Sequence, residues 1–362
     1  AGSYPVTVKY NGDANVAGAE ATATFTVSKL NPGMSVVVNN ITYGANGTVT
    51  VIVNDKATGK VNVTVNGETK EVDIVNGKAT LVVSGLAAGD YTVSVSYNGD
   101  GNFTAATASA DFTVAKLNTD VDVIVSNITY GANATVTVTV NNKVTGKVNV
   151  TVNGTVYEVD IVNGKGTLVL SGLAAGDYTV TVDYAGEGNY TDATANAEFT
   201  VSKANPGMNV DVATDDFSGK ANITVTVNDK VTGDVTINVN GTDYTATIVN
   251  GKANITVSGL TEGKYTVTVT YNGDGNFTAA TATKEFAIST VDPSLNVVVG
   301  NITYGANATV VITANNQVTG KANVTINGTT YEVTFVDGRA TLTLSGLAAG
   351  SYNVTVKYDG DG

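Results

Sequence analysis

The feature that most constrains this chain is a period. Gly-Leu-Ala-Ala-Gly-Asp-Tyr at Gly85 to Tyr91 returns at Gly172 to Tyr178, and variants of it end at Tyr265 and Tyr352. With Tyr4 included, these tyrosines stand at 4, 91, 178, 265 and 352, so every interval is 87 residues without insertion or deletion. Tyr10, Tyr97, Tyr184, Tyr271 and Tyr358 keep the same step, as do Phe25, Phe112, Phe199 and Phe286. So strict a register means one structural unit copied in series. A unit of this length can bury a modest core by itself, since domains of about 60 residues already fold alone. The step divides the chain into a partial module at 1–29, modules at 30–116, 117–203 and 204–290, and a partial module at 291–362.

Within one unit the apolar residues alternate with polar ones, the period-2 signature of strands buried on one face. Val49, Val51 and Val53 alternate with Thr50 and Ile52, and Val61, Val63 and Val65 with Asn62 and Thr64. Tyr91, Val93, Val95 and Tyr97 do the same, and Ala108, Ala110, Phe112 and Val114 close the unit. No window carries an apolar stripe at helical spacing, so no helices are expected. Turn chemistry separates the strands at Ala57-Thr58-Gly59, Asn66-Gly67, Asn76-Gly77, Gly85 to Gly89, and Asn98-Gly99-Asp100-Gly101. Asn-Gly supplies the positive φ angles that tight hairpins need. About seven short strands with a turn every ~8 to 12 residues predict an all-β, immunoglobulin-like β-sandwich in each module; a small barrel is the alternative. Leu86-Ala-Ala-Gly89-Asp-Tyr91 favours the sandwich, because Leu-x-x-Gly-x-Tyr has the form of a tyrosine corner, in which the hydroxyl turns back onto the backbone before strand F. Tyr4, Tyr91, Tyr178, Tyr265 and Tyr352 are the expected corner residues.

These motifs, together with Ile41-Thr-Tyr-Gly44, the Val-Asn-Gly turns and Tyr97-Asn-Gly-Asp-Gly-Asn-Phe103, resemble the bacterial-type immunoglobulin-like repeats found in tandem in large surface proteins. The Asn- and Thr-rich style is similar to adhesin-like surface proteins of methanogenic archaea. The resemblance covers essentially the whole chain and implies an extracellular, cell-surface spacer or adhesive stalk, with no catalytic residues to carry over. Residues 204–290 depart where Ala213-Thr-Asp-Asp-Phe-Ser218 replaces the Asn-Ile-Thr-Tyr segment, which affects the first-strand geometry.

Composition narrows the chemistry. A net charge of -13 disfavours nucleic acid and anionic membranes, whose own charge would repel this surface. No apolar run approaches the ~18 residues of a membrane span. Without His or Cys, the chain lacks the usual general bases and thiol nucleophiles, so no enzymatic activity is expected. Asn98, Asp100 and Asn102 are spaced as oxygen ligands of a calcium loop would be, with an acidic residue recurring as Asp13, Asp100, Glu187, Asp274 and Asp361. The bidentate Glu of an EF-hand is missing, and Asn-Gly-Asp-Gly is also a plain turn, so no cofactor is expected. A Lys-Asn cross-link is disfavoured because Lys60 and Lys147 become Asp234, and Asp73 and Asp160 become Thr247.

There are 18 Asn-x-Ser/Thr sequons, more than chance pairing supplies, although alternation on an outer strand face generates the same pattern without a glycan. N-linked glycans are expected at some of them. Asn102, Asn189 and Asn276, at loop ends, are favoured, with Asn40, Asn127 and Asn301 as further candidates.

The links between modules, Leu30-Asn-Pro-Gly33, Leu117-Asn-Thr-Asp120, Ala204-Asn-Pro-Gly207 and Val291-Asp-Pro293, are short and partly Pro-stiffened. They favour a semi-rigid string of beads, on the order of 140 Å for four modules. Because the chain starts and stops at the same point of the module, it is expected to be a stretch of a longer fibre. In the alternative, copies polymerise head to tail, residues 17–29 of one completing the last module of the next. The function expected is a structural rod whose partners are neighbouring modules. The competing reading is a glycan- or cell-binding module in which repetition supplies avidity, and an outward aromatic patch would support it, with Tyr157, Tyr244 and Tyr331 the candidates.

Overall fold

The computed structural model describes residues 1–141 and 144–360; Asp361 lies outside the described residues. They contain no α-helix, and their regular elements are strands. The chain forms two compact units, Ala1–Ser202 and Lys203–Gly362.

The first unit opens with a hairpin of β1 (Gly2–Tyr10) and β2 (Ala19–Val27), paired from Gly2 opposite Val27 to Tyr10 opposite Ala19. Residues 30–116 then form a two-sheet sandwich. One sheet has β3 (Ser35–Val37), β5 (Gly47–Ile52) and β8 (Lys78–Val83) in the order β3-β5-β8. The other has β4 (Ile41–Thr42), β6 (Lys60–Val65), β7 (Glu68–Asp73), β9 (Gly89–Tyr97) and β10 (Ala106–Ala115), in the order β4-β10-β9-β6-β7. The alternation read from sequence is what closes the core: Val49, Val61 and Val93 are fully buried, with Tyr97, Phe103 and Phe112 nearly so. Their neighbours along each strand point outward, as the pleat dictates. Asn66 and Gly67 both hold positive φ in the β6–β7 turn. Gly77 is fixed more tightly, because a Cβ there would lie 2.9 Å from both Val53 O and Asp55 Cα.

Between β3 and β4 the chain changes sheets. β3 is antiparallel to β5, whereas β4 runs parallel to the end of β10, with Ile41 opposite Val114. Half-buried Ile41 packs against the core, and Tyr43 N–H donates to Ala115 O at 2.8 Å. Residues 117–203 repeat this arrangement, with Ile128–Thr129 parallel to Ala193–Ser202.

The second unit contains two further sandwiches. In residues 204–290, strand Asn209–Asp215 stays with Lys220–Thr226 over its whole length, from Asn209 opposite Thr226 to Asp215 opposite Lys220. The other sheet has four strands, and no counterpart of β4 occurs among the described residues. The cause is local. Asp215 stands where Ile41 and Ile128 stand, and a carboxylate has no apolar site to fill. Instead it accepts from Ser218 N–H at 3.3 Å and Ser218 Oγ at 2.5 Å, closing a turn that sends the chain back along its own sheet. The first-strand departure flagged in the sequence is therefore the loss of the sheet switch. In residues 291–362, sheets of three strands each enclose buried Ile312 and Val324.

Candidate functional site at the module joint

The joint is built from three short segments: a link residue, the β9–β10 tip of the module that follows the link, and the β8–β9 corner of the module that precedes it. Leu30 N–H donates to Asn102 O, and Leu30 O accepts from Thr104 N–H, both at 2.9 Å. Leu117 does the same with Asn189 O at 2.8 Å and Thr191 N–H at 3.0 Å. In the second unit Ala204 pairs with Asn276 O and Thr278 N–H, again at 2.9 Å. Each link residue is thus a one-residue strand added to the tip. Lys29 Nζ donates to Asp100 O, and Lys203 Nζ to Asp274 O, both at 2.6 Å.

The corner supplies the opposite side. Tyr91, Tyr178 and Tyr352 hydroxyls donate to the carbonyls of Ala87, Ala174 and Ala348 at 3.0 Å, and that of Tyr265 to Thr261 O at 2.9 Å. Each closes the chain four residues upstream, and Tyr91 stacks on Phe112 with ring centroids 5.6 Å apart. Tyr4 stacks on Phe25 in the same way at 5.5 Å. The corner presents Ala88 N–H outward, and Asn189 Oδ1 of the next module accepts it at 2.8 Å. Tyr43 and Tyr190 meet edge to face beside this bond, centroids 5.8 Å apart. The Ala1 ammonium, one period before Ala88, donates likewise to Asn102 Oδ1.

The tip is stiffened from within. Asp100 Oδ1 accepts from the N–H groups of Asn102 and Phe103 at 2.6 and 2.8 Å; Oδ2 accepts from Thr58 N–H and Oγ1 at 2.9 and 3.0 Å. Thr58 O in turn accepts from the Tyr97 hydroxyl at 2.9 Å. The hydrogen bond from Asn102 is the largest of the influences that hold the Asp100 carboxyl well below the usual carboxylate range. Asp274 repeats the arrangement with Asn276, Phe277 and Thr232. Partial burial pushes its pKa up, but the three N–H donors and the Tyr271 hydroxyl outweigh that and bring it down to about 2. Glu187, one methylene longer, makes no such bond with Thr145 among the described residues.

The calcium triplet is therefore occupied in its centre by protein donors: both Asp100 oxygens already serve N–H and O–H groups, while Asn98 is exposed and Asn102 sits in the joint. No group of three or more acidic, His or Cys side chains suited to a metal occurs among the described residues. The candidate glycosylation residues fall into two classes. Asn102, Asn189 and Asn276 lie at tips, Asn189 half-buried in the joint. Asn40, Asn127 and Asn301 lie exposed, the first two just before the short parallel strand. The lysines weighed for cross-links are exposed and face carboxylates across hairpins, as in Lys60–Glu71 at 3.3 Å; pairs of this kind contribute little stability. Tyr157 and Tyr331, candidates for an outward aromatic patch, pack instead against their cores. Sequence reasoning missed the acceptor role of Asn189. The recurrence of Asn-Phe/Tyr-Thr in step with Gly-Leu-Ala-Ala-Gly carried the signal, but each was read within its own module.

No curated protein matches the chain. Among solved structures it is similar to the chicken CNTN1 FN1–FN3 domains, at 14% identity over 72% of this chain and 99% of that one, TM-score 0.22. It is also similar to the titin domains z1z2 in complex with telethonin, at 15% identity over 49% and 98%, TM-score 0.32. Sidekick-1 immunoglobulin domains 1–5 match at 10% identity over 98% and 91%, TM-score 0.31. The family model of the bacterial Ig-like domain (group 3) matches three times, at residues 34–115, 123–202 and 209–291. With that match spanning more than half of the sequence, the chain belongs to the bacterial Ig-like domain (group 3) family, in tandem.

Proposed function

We propose that this chain is a stiff spacer in an extracellular surface filament or adhesin stalk, its modules binding their neighbours rather than a soluble substrate. The joint carries the reading. Its link residue is hydrogen-bonded on both sides to the following tip, and that tip reaches back to the preceding corner through Asn189 and Tyr190. A link held in this way has little freedom to bend, which a spacer needs and a flexible tether does not. Domains of this family usually serve as extracellular surface modules without catalytic activity, and the acidic surface suits that setting. The Asn- and Thr-rich strand faces support a methanogen-type, adhesin-like protein as the particular version. Small-angle scattering and rotary-shadowed electron microscopy test the spacer reading. Extended particles on the order of 140 Å long are expected, with a broader spread of bend angles in N189A. Compact particles, or a bend distribution that N189A leaves unchanged, would overturn it.

A further inference from the structure

Sequon position alone favours the loop tips as glycan acceptors, yet the structure separates the tip sequons from those beside the sheet switch. At the switch, Thr113 N–H donates to Asn40 Oδ1 at 2.8 Å, and Thr200 N–H donates to Asn127 Oδ1 at 2.7 Å. An N–H donor fixes the carboxamide so that its oxygen faces the sheet, and Nδ2, on the same carbon, then faces away from it. Both asparagines are exposed, and no hydrogen bond engages either Nδ2 among the described residues. Asn189 differs in its exposure: its Oδ1 likewise accepts an N–H, from Ala88 of the preceding module, but the residue is half-buried in the joint.

A second observation comes from the surface beside Asn40. It opens into a groove of about 420 Å³ lined by Asp90, Tyr91, Thr92, Asp111 and Thr113. Thr113 Oγ1 donates to Asp90 Oδ1 at 2.7 Å, and Thr92 Oγ1 to Asp111 Oδ1 at 2.6 Å. One oxygen of each carboxylate is left without a protein donor among the described residues, which is the chemistry that takes up sugar hydroxyls. In residues 117–203 the same positions hold Asp177, Tyr178, Thr179, Glu198 and Thr200, with Thr200 Oγ1 again on Asp177 Oδ1 at 2.8 Å. In residues 204–290 the sequon position is Thr214, and Lys264 and Ala287 replace the Asp and Thr. The sequon and the Asp-Thr pair beside it occur together in residues 30–116 and 117–203 and are both missing in 204–290, while Asn301 keeps the sequon with Ser351 at the Asp position.

We propose that Asn40 and Asn127 carry N-linked glycans whose first sugar lies against the outward Asp and Thr side chains beside each, and that Asn189 stays bare because it is half-buried in the joint. In the transfer, Asn Nδ2 attacks the anomeric carbon of a phosphate-activated oligosaccharide donor. A C–N bond forms, the sugar–phosphate C–O bond breaks, the phosphate leaves with the electron pair, and an Nδ2 proton passes to a base of the transferase. The assignment of Asn40 and Asn127 concerns the outer face of single modules and stands apart from the spacer reading, whereas that of Asn189 rests on the same joint.

Glycopeptide mass spectrometry with electron-transfer fragmentation on the protein from its native source tests it. Saccharide mass is expected on both Asn40 and Asn127 and none on Asn189. T42A and T129A remove each sequon while keeping the Asn carboxamide bond, so each is expected to lose the saccharide at its own site with an unchanged circular dichroism spectrum. A bare Asn40 or Asn127 in the native protein, a saccharide on Asn189, or one retained at Asn40 in T42A overturns the proposal.

Discussion

Residues 117–203 and 204–290 share a period, a core pattern and a strand register, yet they differ at both ends of the sandwich. Among the described residues, the first has the sheet switch but no carboxylate bonds from its tip to Thr145, whereas the second has such a staple, Asp274 to Thr232, but no switch. The two differences lie in short segments, one with Ile128 against Asp215 and Ser218, the other with Glu187 against Asp274. The frame is therefore set by buried valines and hairpin turns, while the ends vary independently. A core of interdigitated β-branched residues tolerates this because neither end contributes to its centre.

The largest effect expected from breaking this comparison is at the switch. I128D, which gives residues 117–203 the side chain of the other module, should cost roughly 2–3 kcal/mol through lost apolar burial and a partly desolvated carboxylate. Hydrogen exchange should show the Tyr130 N–H, bonded to Ser202 O at 2.8 Å, losing protection, and a protected amide there would mean that Ile128 does not hold the switch. A smaller gain is expected at the tip. E187D should restore the bonds to Thr145 and stabilise by about 0.5–1 kcal/mol, read as a higher urea midpoint; a lower midpoint would separate the staple from side-chain length. The smallest effect concerns pH. Because the Asp274 pKa is depressed in the folded state to about 2, its contribution is fully present above the unfolded value near ~3.9 and fades as pH falls through the folded one. The difference in melting temperature between wild type and D274N should therefore be constant above about pH 5 and shrink toward pH 2. A difference that widens with acid would reverse the assignment.

The parts of the molecule legible in its sequence are those whose causes are local. Asn66-Gly67 announces a hairpin because both residues must hold positive φ, and Tyr91 announces its corner because the acceptor is only four residues away. The Asp-Asp at 215–216 showed that the first strand would differ, but not that it would keep to one sheet, since that depends on Ser218 meeting Asp215. The joint and the staple were hidden for a different reason. Asn189 meets Ala88 across 101 residues, and Asp100 meets Thr58 across 42. Nothing in the spacing distinguishes Asp from Glu at the tip, where one methylene decides whether the carboxylate reaches.

The link residue, bonded wholly to the module that follows it, has a consequence for heredity. Each 87-residue stretch brings its own half of a joint at its start and the receiving corner near its end. Unequal recombination between in-phase repeats of the coding DNA would then add or delete whole modules, each with its own link residue, tip and corner. Length becomes a trait that selection can adjust by copy number, with no compensating substitution required.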